Sequence, residues 1–134
     1  MAIREVTDLR VYRSAFQWAD KIFHTSRHWP MDEKYALTGQ IRRSSRAVCA
    51  NLSEAWRKRR YRAHFISKLS DADAEAAETR TWLRFARSCG YIDGETFSEF
   101  DQSYDRICGG IVCMMNEPEK WCGPSNHAPK PSRR

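Results

Sequence analysis

No proline interrupts the chain between Met31 and Glu117, a run of 87 residues in which glycine occurs only at positions 39, 90, 94, 109 and 110. Proline breaks a helix interior and glycine weakens one, so a long stretch nearly free of both reads as helix. No strand-like alternation appears, and the single Asp-Gly pair, Asp93-Gly94, lies between helical patterns rather than between β-branched runs.

Hydrophobic spacing divides the chain into four helices. The first is expected over about 8–28, with Asp8 as N-cap. Its face is Val11 or Tyr12, Ala15, Phe16, Ala19, Ile22, Phe23 and Ser26, and Trp29-Pro30 stops it. The second covers about 32–57, with Leu37, Ile41, Ser45, Val48, Leu52 and Ala55 on one side. The third covers about 60–89. Phe65, Leu69, Ala72, Ala76, Thr79, Leu83 and Ala86 alternate by four and three, an a/d seam, and Gly90 follows as the C′ residue. The fourth covers about 94–116, capped by Asp93, with Phe97, Phe100, Tyr104, Ile107, Ile111 and Met114 inward and Pro118 beyond its end. Short connections make consecutive helices antiparallel neighbours, so the expected fold is an all-α, up-down antiparallel four-helix bundle over 1–118. The segment 119–134, rich in Pro, Ser and Asn, is expected to be a flexible tail that does not pack.

A chain of 134 residues is one domain, large enough to fold without a disulfide or a structural metal. The longest wholly apolar run, Ile111 to Met115, is far short of the ~20 residues that span a bilayer. The first ten residues lack the apolar core of a signal peptide, which points to the cytoplasm. Cys49, Cys89, Cys108, Cys113 and Cys122 show no C-x-x-C spacing and read as reduced thiols.

The charge is local. The chain carries a net +6, yet between Gly39 and His64 eight basic residues, Arg42, Arg43, Arg46, Arg57, Lys58, Arg59, Arg60 and Arg62, face a single acid, Glu54. At about 100° per residue, Arg42, Arg43, Arg46 and Arg57 share an arc opposite the apolar stripe of the second helix. Seven of the eight are arginine, the residue suited to bidentate phosphate contacts. Such a cluster fits nucleic acid, or a solvated face paired with acids of a neighbouring subunit; the arginine bias favours the anionic partner. Trp56, Tyr61 and His64 fit base stacking or boundary packing equally well. On the third helix Glu75, Glu78 and Trp82 lie off the seam, which suggests a subunit interface or the edge of a wider core.

Catalytic constellations are missing. There is no Glu-x-x-His pair for a di-iron site, no H-E-x-x-H, no phosphate-cradling glycine loop and no nucleophile elbow. His24 and His28 are spaced i, i+4 but lack a third ligand, and Asp71, Glu75 and Glu78 fit ion pairs better than acid–base work. The chain is expected to be non-catalytic, with no cofactor and no metal.

Gln40-Ile41-Arg42-Arg43-Ser44-Ser45-Arg46-Ala47-Val48-Cys49-Ala50-Asn51-Leu52-Ser53-Glu54-Ala55 resembles the signature Q-I-R-R-A-A-x-S-I-P-x-N-I-A-E-G of a family of small bacterial four-helix-bundle proteins, some encoded by intervening sequences within 23S rRNA genes. A related branch is the accessory variability protein of diversity-generating retroelements. Asp8-Leu9-Arg10-Val11-Tyr12 with Ala15 is similar to the family's opening D-L-x-V-W/Y-x-x-A. Glu75-Ala76-Ala77-Glu78-Thr79-Arg80-Thr81-Trp82-Leu83 with Gly90-Tyr91-Ile92 is similar to its E-A-x-E-T-x-x-W-L…G-Y-I. The resemblance implies a homo-oligomer, commonly a ring-like pentamer, with a positive surface that meets RNA or DNA, or a reverse transcriptase in the retroelement branch. A scaffold docking an acidic protein is the alternative. Arg42, Arg43, Asn51 and Glu54 occupy the matching motif positions, Asn51 and Glu54 as subunit links or ligand contacts. Cys49 in place of the motif proline, Ala55 in place of its glycine and Asp71-Ala72 in place of Gly-Ser are the departures.

Overall fold

The computed structural model describes residues 2–123. Four long helices form: α1 (Arg10–Thr25), α2 (Gly39–Arg57), α3 (Arg62–Ser88) and α4 (Gly94–Asn116); a fifth, one-turn helix, α5, covers Glu119–Cys122. No strand occurs among the described residues. α1 packs on α2, α2 on α3 and α3 on α4, and α4 closes back on α1, the cyclic order of an up-down bundle.

The a/d seam of α3 is buried at every position from Phe65 to Ala86, as are Leu37, Ile41, Ser45, Val48, Leu52 and Ala55 from the α2 side. Apolar burial of this kind holds helices together far more than intrinsic propensity does. Polar groups are buried there too, Ser44 and Ser45 on α2 and Thr79 on α3. Ser44 Oγ and Thr79 Oγ1 lie 2.8 Å apart, so one hydroxyl donates to the other, and the accepting one donates its own proton to its helix carbonyl, Ser44 to Ile41 O or Thr79 to Glu75 O. That satisfies them inside the α2–α3 interface. α3 is fastened to α4 by Arg80, whose Nε and Nη2 donate to the two oxygens of Asp101 at 2.9 and 3.1 Å while Nη1 reaches Asp105 at 3.2 Å. This fork is the bidentate geometry only arginine supplies.

The helix ends follow local chemistry. Asp93 Oδ1 accepts from the Thr96 amide at 2.7 Å and starts α4. α3 ends in a Schellman turn: the Gly90 amide donates to Arg87 O, the Tyr91 amide to Ala86 O, and Gly90 has φ +80°. Asp8 acts one element earlier than expected. Its carboxylate accepts from the amides of Arg4 and Glu5, closing a 3-10 turn at Val6–Asp8, and α1 begins after Leu9.

The entry to α2 also differs from a simple helix. A 3-10 turn, Met31–Glu33, leads into a π-helical segment, Lys34–Thr38, and the Gly39 amide donates to Lys34 O. A Cβ on Gly39 would sit 2.7 Å from that same oxygen, so only glycine lets the wide turn close. The loop below is tied to the α3–α4 connection by Tyr91, whose hydroxyl donates to Glu33 Oε2 at 2.7 Å and whose ring lies 5.8 Å from that of Trp29.

The expectation that 119–134 would not pack is corrected in its first residues. Pro118 opens the α5 turn, Cys122 is buried, and the half-buried Trp121 meets Trp56 edge-on at 6.3 Å. Two large or apolar side chains at the right place suffice to dock one turn. Residues 124–134, the rest of the expected tail, lie outside the described residues. Among the described residues no helix is long and apolar enough to cross a membrane.

Candidate nucleic-acid interface

The eight basic residues singled out in the sequence separate into groups with different surroundings. Arg43 turns toward α3. Its guanidinium meets Glu75 at 3.1 Å and Glu78, and Glu78 also accepts from Trp82 Nε1 at 3.0 Å. The expected phosphate ligand Arg43 and the expected interface residues Glu75, Glu78 and Trp82 therefore form one intrachain cluster between α2 and α3. The sequence pattern placed them on separate faces because it carries no information about which helix stands beside α2.

Glu78 shows the balance in that cluster. Burial, the largest single influence, pushes its carboxyl up, but the bonds from Arg43 and Trp82 outweigh it and leave it below its ordinary value. A depressed folded pKa contributes stability above the unfolded value of about 4.3, and that stability is lost as pH falls through the folded pKa. Arg43 is half exposed, so Arg43→Ala should cost only about 1 kcal/mol or less at neutral pH. The cost should shrink toward zero below about pH 4. Denaturant titrations at the two pH values measure it. A cost unchanged with pH would assign the effect to packing of the arginine stem rather than to the ion pair.

Arg59 is likewise committed. Its Nε donates to Trp56 O at 2.8 Å, closing the C-terminal end of α2, and its guanidinium lies 3.5 Å from the centre of the buried Trp56 ring. Arg62 is half-buried at the start of α3, and both arginines act on the nearby Cys122 thiol, which burial raises and they lower. Of the remaining turn residues, Arg57, Lys58 and Arg60 are exposed. Of the aromatic candidates, Trp56 is core, while Tyr61 is exposed with its ring 5.5 Å from that of the exposed His64.

Arg42 and Arg46 face α1. Arg42 Nε donates to Ser26 Oγ at 2.9 Å, and its guanidinium stands 4.7 Å from the centre of the Phe23 ring. Arg46 approaches the same ring at 5.6 Å, and Arg27 does so from the 3-10 turn Ser26–His28 after α1 at 5.9 Å. Burial first, then the charges of Arg46 and Arg27, lower the Arg42 pKa. Among the described residues none of these three guanidinium groups is paired with a carboxylate. Three like charges thus converge on one phenyl ring without a counterion. Arg27 was not among the residues picked out in the sequence. The available signal was its i, i+4 spacing from Phe23, which the 3-10 turn Ser26–His28 following α1 keeps within reach of that ring.

Arg42, Arg46 and Arg57 lie along one side of α2, spanning about 22 Å at 1.5 Å per residue. Asn51 bends back to its own helix, its amide donating to Ala47 O at 2.9 Å, and Glu54 pairs with Lys68 at 3.1 Å on the α3 side. Both motif residues are thus occupied within the chain.

Burial pushes the Cys49 and Cys108 thiols up to about 11, so both are protonated at neutral pH. His24 lies 3.7 Å from Asp20, and no group of three potential metal ligands occurs among the described residues.

The protein is thus a small all-α bundle with an arginine-rich strip on α2. The family model for the 23S rRNA-intervening sequence protein matches residues 7–112, and the chain belongs to that family. A crystal structure of a protein of unknown function from the S23 ribosomal protein family of Bacteroides thetaiotaomicron is similar, at 27% identity and a TM-score of 0.71, over 79% of this chain and 95% of that one. No curated protein matches.

Proposed function

We propose that this protein is a non-catalytic nucleic-acid-binding oligomer that uses the exposed side of α2, with Arg42, Arg46 and Arg57 extended by Arg27, Lys58 and Arg60, to contact the phosphate backbone of RNA or DNA. The observation that carries this reading is the strip of arginines that, among the described residues, have no carboxylate partner, whereas Arg43 and Arg80 are held by acids of neighbouring helices. A cation cluster of this kind is stabilised by an incoming polyanion and gains further from counterion release.

Self-assembly is the second half of the proposal. Phe85 is 54% exposed beside Trp82, their rings 6.0 Å apart, on a side of α3 that the bundle does not cover. That apolar edge suits a contact between copies of the chain, and a ring-like pentamer is the arrangement the family resemblance favours.

The test is a binding titration against RNA and DNA at several salt concentrations, with mass from light scattering on the same sample. The logarithm of the binding constant should fall by ~0.7–0.9 for each phosphate neutralised per decade of salt. Absence of binding at low salt would overturn the reading. A cellular partner retained after nuclease treatment would make the same arginines a docking surface for an acidic protein.

A further inference from the structure

Phe16 was expected in the core, yet it is 58% exposed. Its ring stands 6.2 Å from that of Tyr12, one turn earlier on α1. The two line a groove of about 330 Å³ between α1 and α2, with Ala19, Asp20, Arg46 and Cys49 completing it. Arg46 therefore belongs both to this groove and to the arginine cluster around Phe23. An open aromatic face and three unpaired cations lie end to end along the α1–α2 seam.

We infer that this seam is a single-strand site: Arg27, Arg42 and Arg46 hold phosphates, and a base stacks on Phe16 and Tyr12 in the groove. The inference rests on the nucleic-acid reading and narrows it. In a duplex each base face is covered by its neighbours, so only an unstacked strand can place one on Phe16. Stacking of this kind tolerates any base, and combining it with a positive track is how single strands are held without sequence preference. Asp20, the carboxylate of the groove, is directed to His24 at 3.7 Å and leaves acceptor capacity for a base amino group. A second copy of the chain is the less favourable occupant. A two-fold contact would face the seam with the like charge of its own copy, and a ring contact would have to bring acids to Arg27, Arg42 and Arg46 from another face.

The test uses the full chain and a fluorescently labelled strand of about 20 nucleotides, alone and annealed to its complement, at low salt. The single strand should bind about tenfold more tightly than the duplex. Phe16→Ala should weaken single-strand binding about tenfold while leaving duplex binding unchanged, and Phe16→Tyr should restore it. Equal affinity for strand and duplex overturns the inference and leaves the broader reading standing, as does a Phe16→Ala variant that weakens both alike. Loss of oligomer mass in Phe16→Ala with single-strand binding intact also overturns it, because the ring then belongs to a subunit contact. If neither form binds the wild-type protein, the nucleic-acid reading itself falls.

Discussion

Reversing Arg42, Arg46 and Arg57 together to glutamate should reduce nucleic-acid binding below detection at moderate salt while the bundle stays folded. Three lost phosphate contacts should also flatten the salt dependence by about 2–3 units of slope. The fold should survive because glutamate is as good a helix former as arginine. Arg46 and Arg57 are exposed; Arg42 is half-buried, so its bond to Ser26 and its place over Phe23 are the structural losses. A matched control separates the strip from net charge. Reversal of Arg84, Arg87 and Arg106, all exposed on α3 and α4, changes the total charge by the same amount. It should leave most of the affinity intact. An equal loss in the two triple variants would reduce the interaction to overall positive charge and remove the case for a defined face.

The fold was legible because the dominant signal is periodic. Every seam position read from α3 is buried, and so is the stripe read from α2. The caps at Asp93 and Gly90 also lie where short-range chemistry placed them. The misses have physical causes. Phe16 shares the helical spacing of the α1 core, but α1 meets its neighbours through small residues, Ala15 and Ala19, which leaves a narrow buried stripe and a large ring outside it. The π segment before α2 depends on the Gly39 approach to Lys34, a detail that three- and four-residue spacing cannot register.

The candidate site was legible as a composition and not as an arrangement. Eight basic residues in one segment are visible in any reading, but their division is set by neighbours distant in sequence. Arg43 is taken by acids 32 and 35 residues away, and Arg59 covers Trp56. Arg42 joins a cluster with Arg27 that depends on how α1 lies against α2. Local patterning supplies the charge; tertiary packing decides which charges remain available.

The largest expected effect on stability is at Phe65. Its side chain is wholly buried at the start of α3, and its amide donates to Tyr61 O in the first turn of that helix. Removing a buried phenyl ring forfeits its transfer energy and leaves a cavity, so Phe65→Ala should cost about 3–5 kcal/mol. Against a total of about 5–15 kcal/mol that is a large fraction, and the thermal midpoint should fall by about 10–25 °C for a chain of this size. The rest of the early seam is Leu69, Ala72 and Ala76, so the seam holds no second ring to fill the space. The α2–α3 turn that presents Arg57, Lys58 and Arg60 lies directly before this point, and its geometry depends on α3 starting where it does. Phe65→Leu, which keeps most of the volume, should recover most of the loss. Circular-dichroism melts of the two variants decide the matter. A fall of only a few degrees in Phe65→Ala would mean that the α2–α3 end is held instead by the stack of Arg59 on Trp56 and the contact of Trp56 with Trp121.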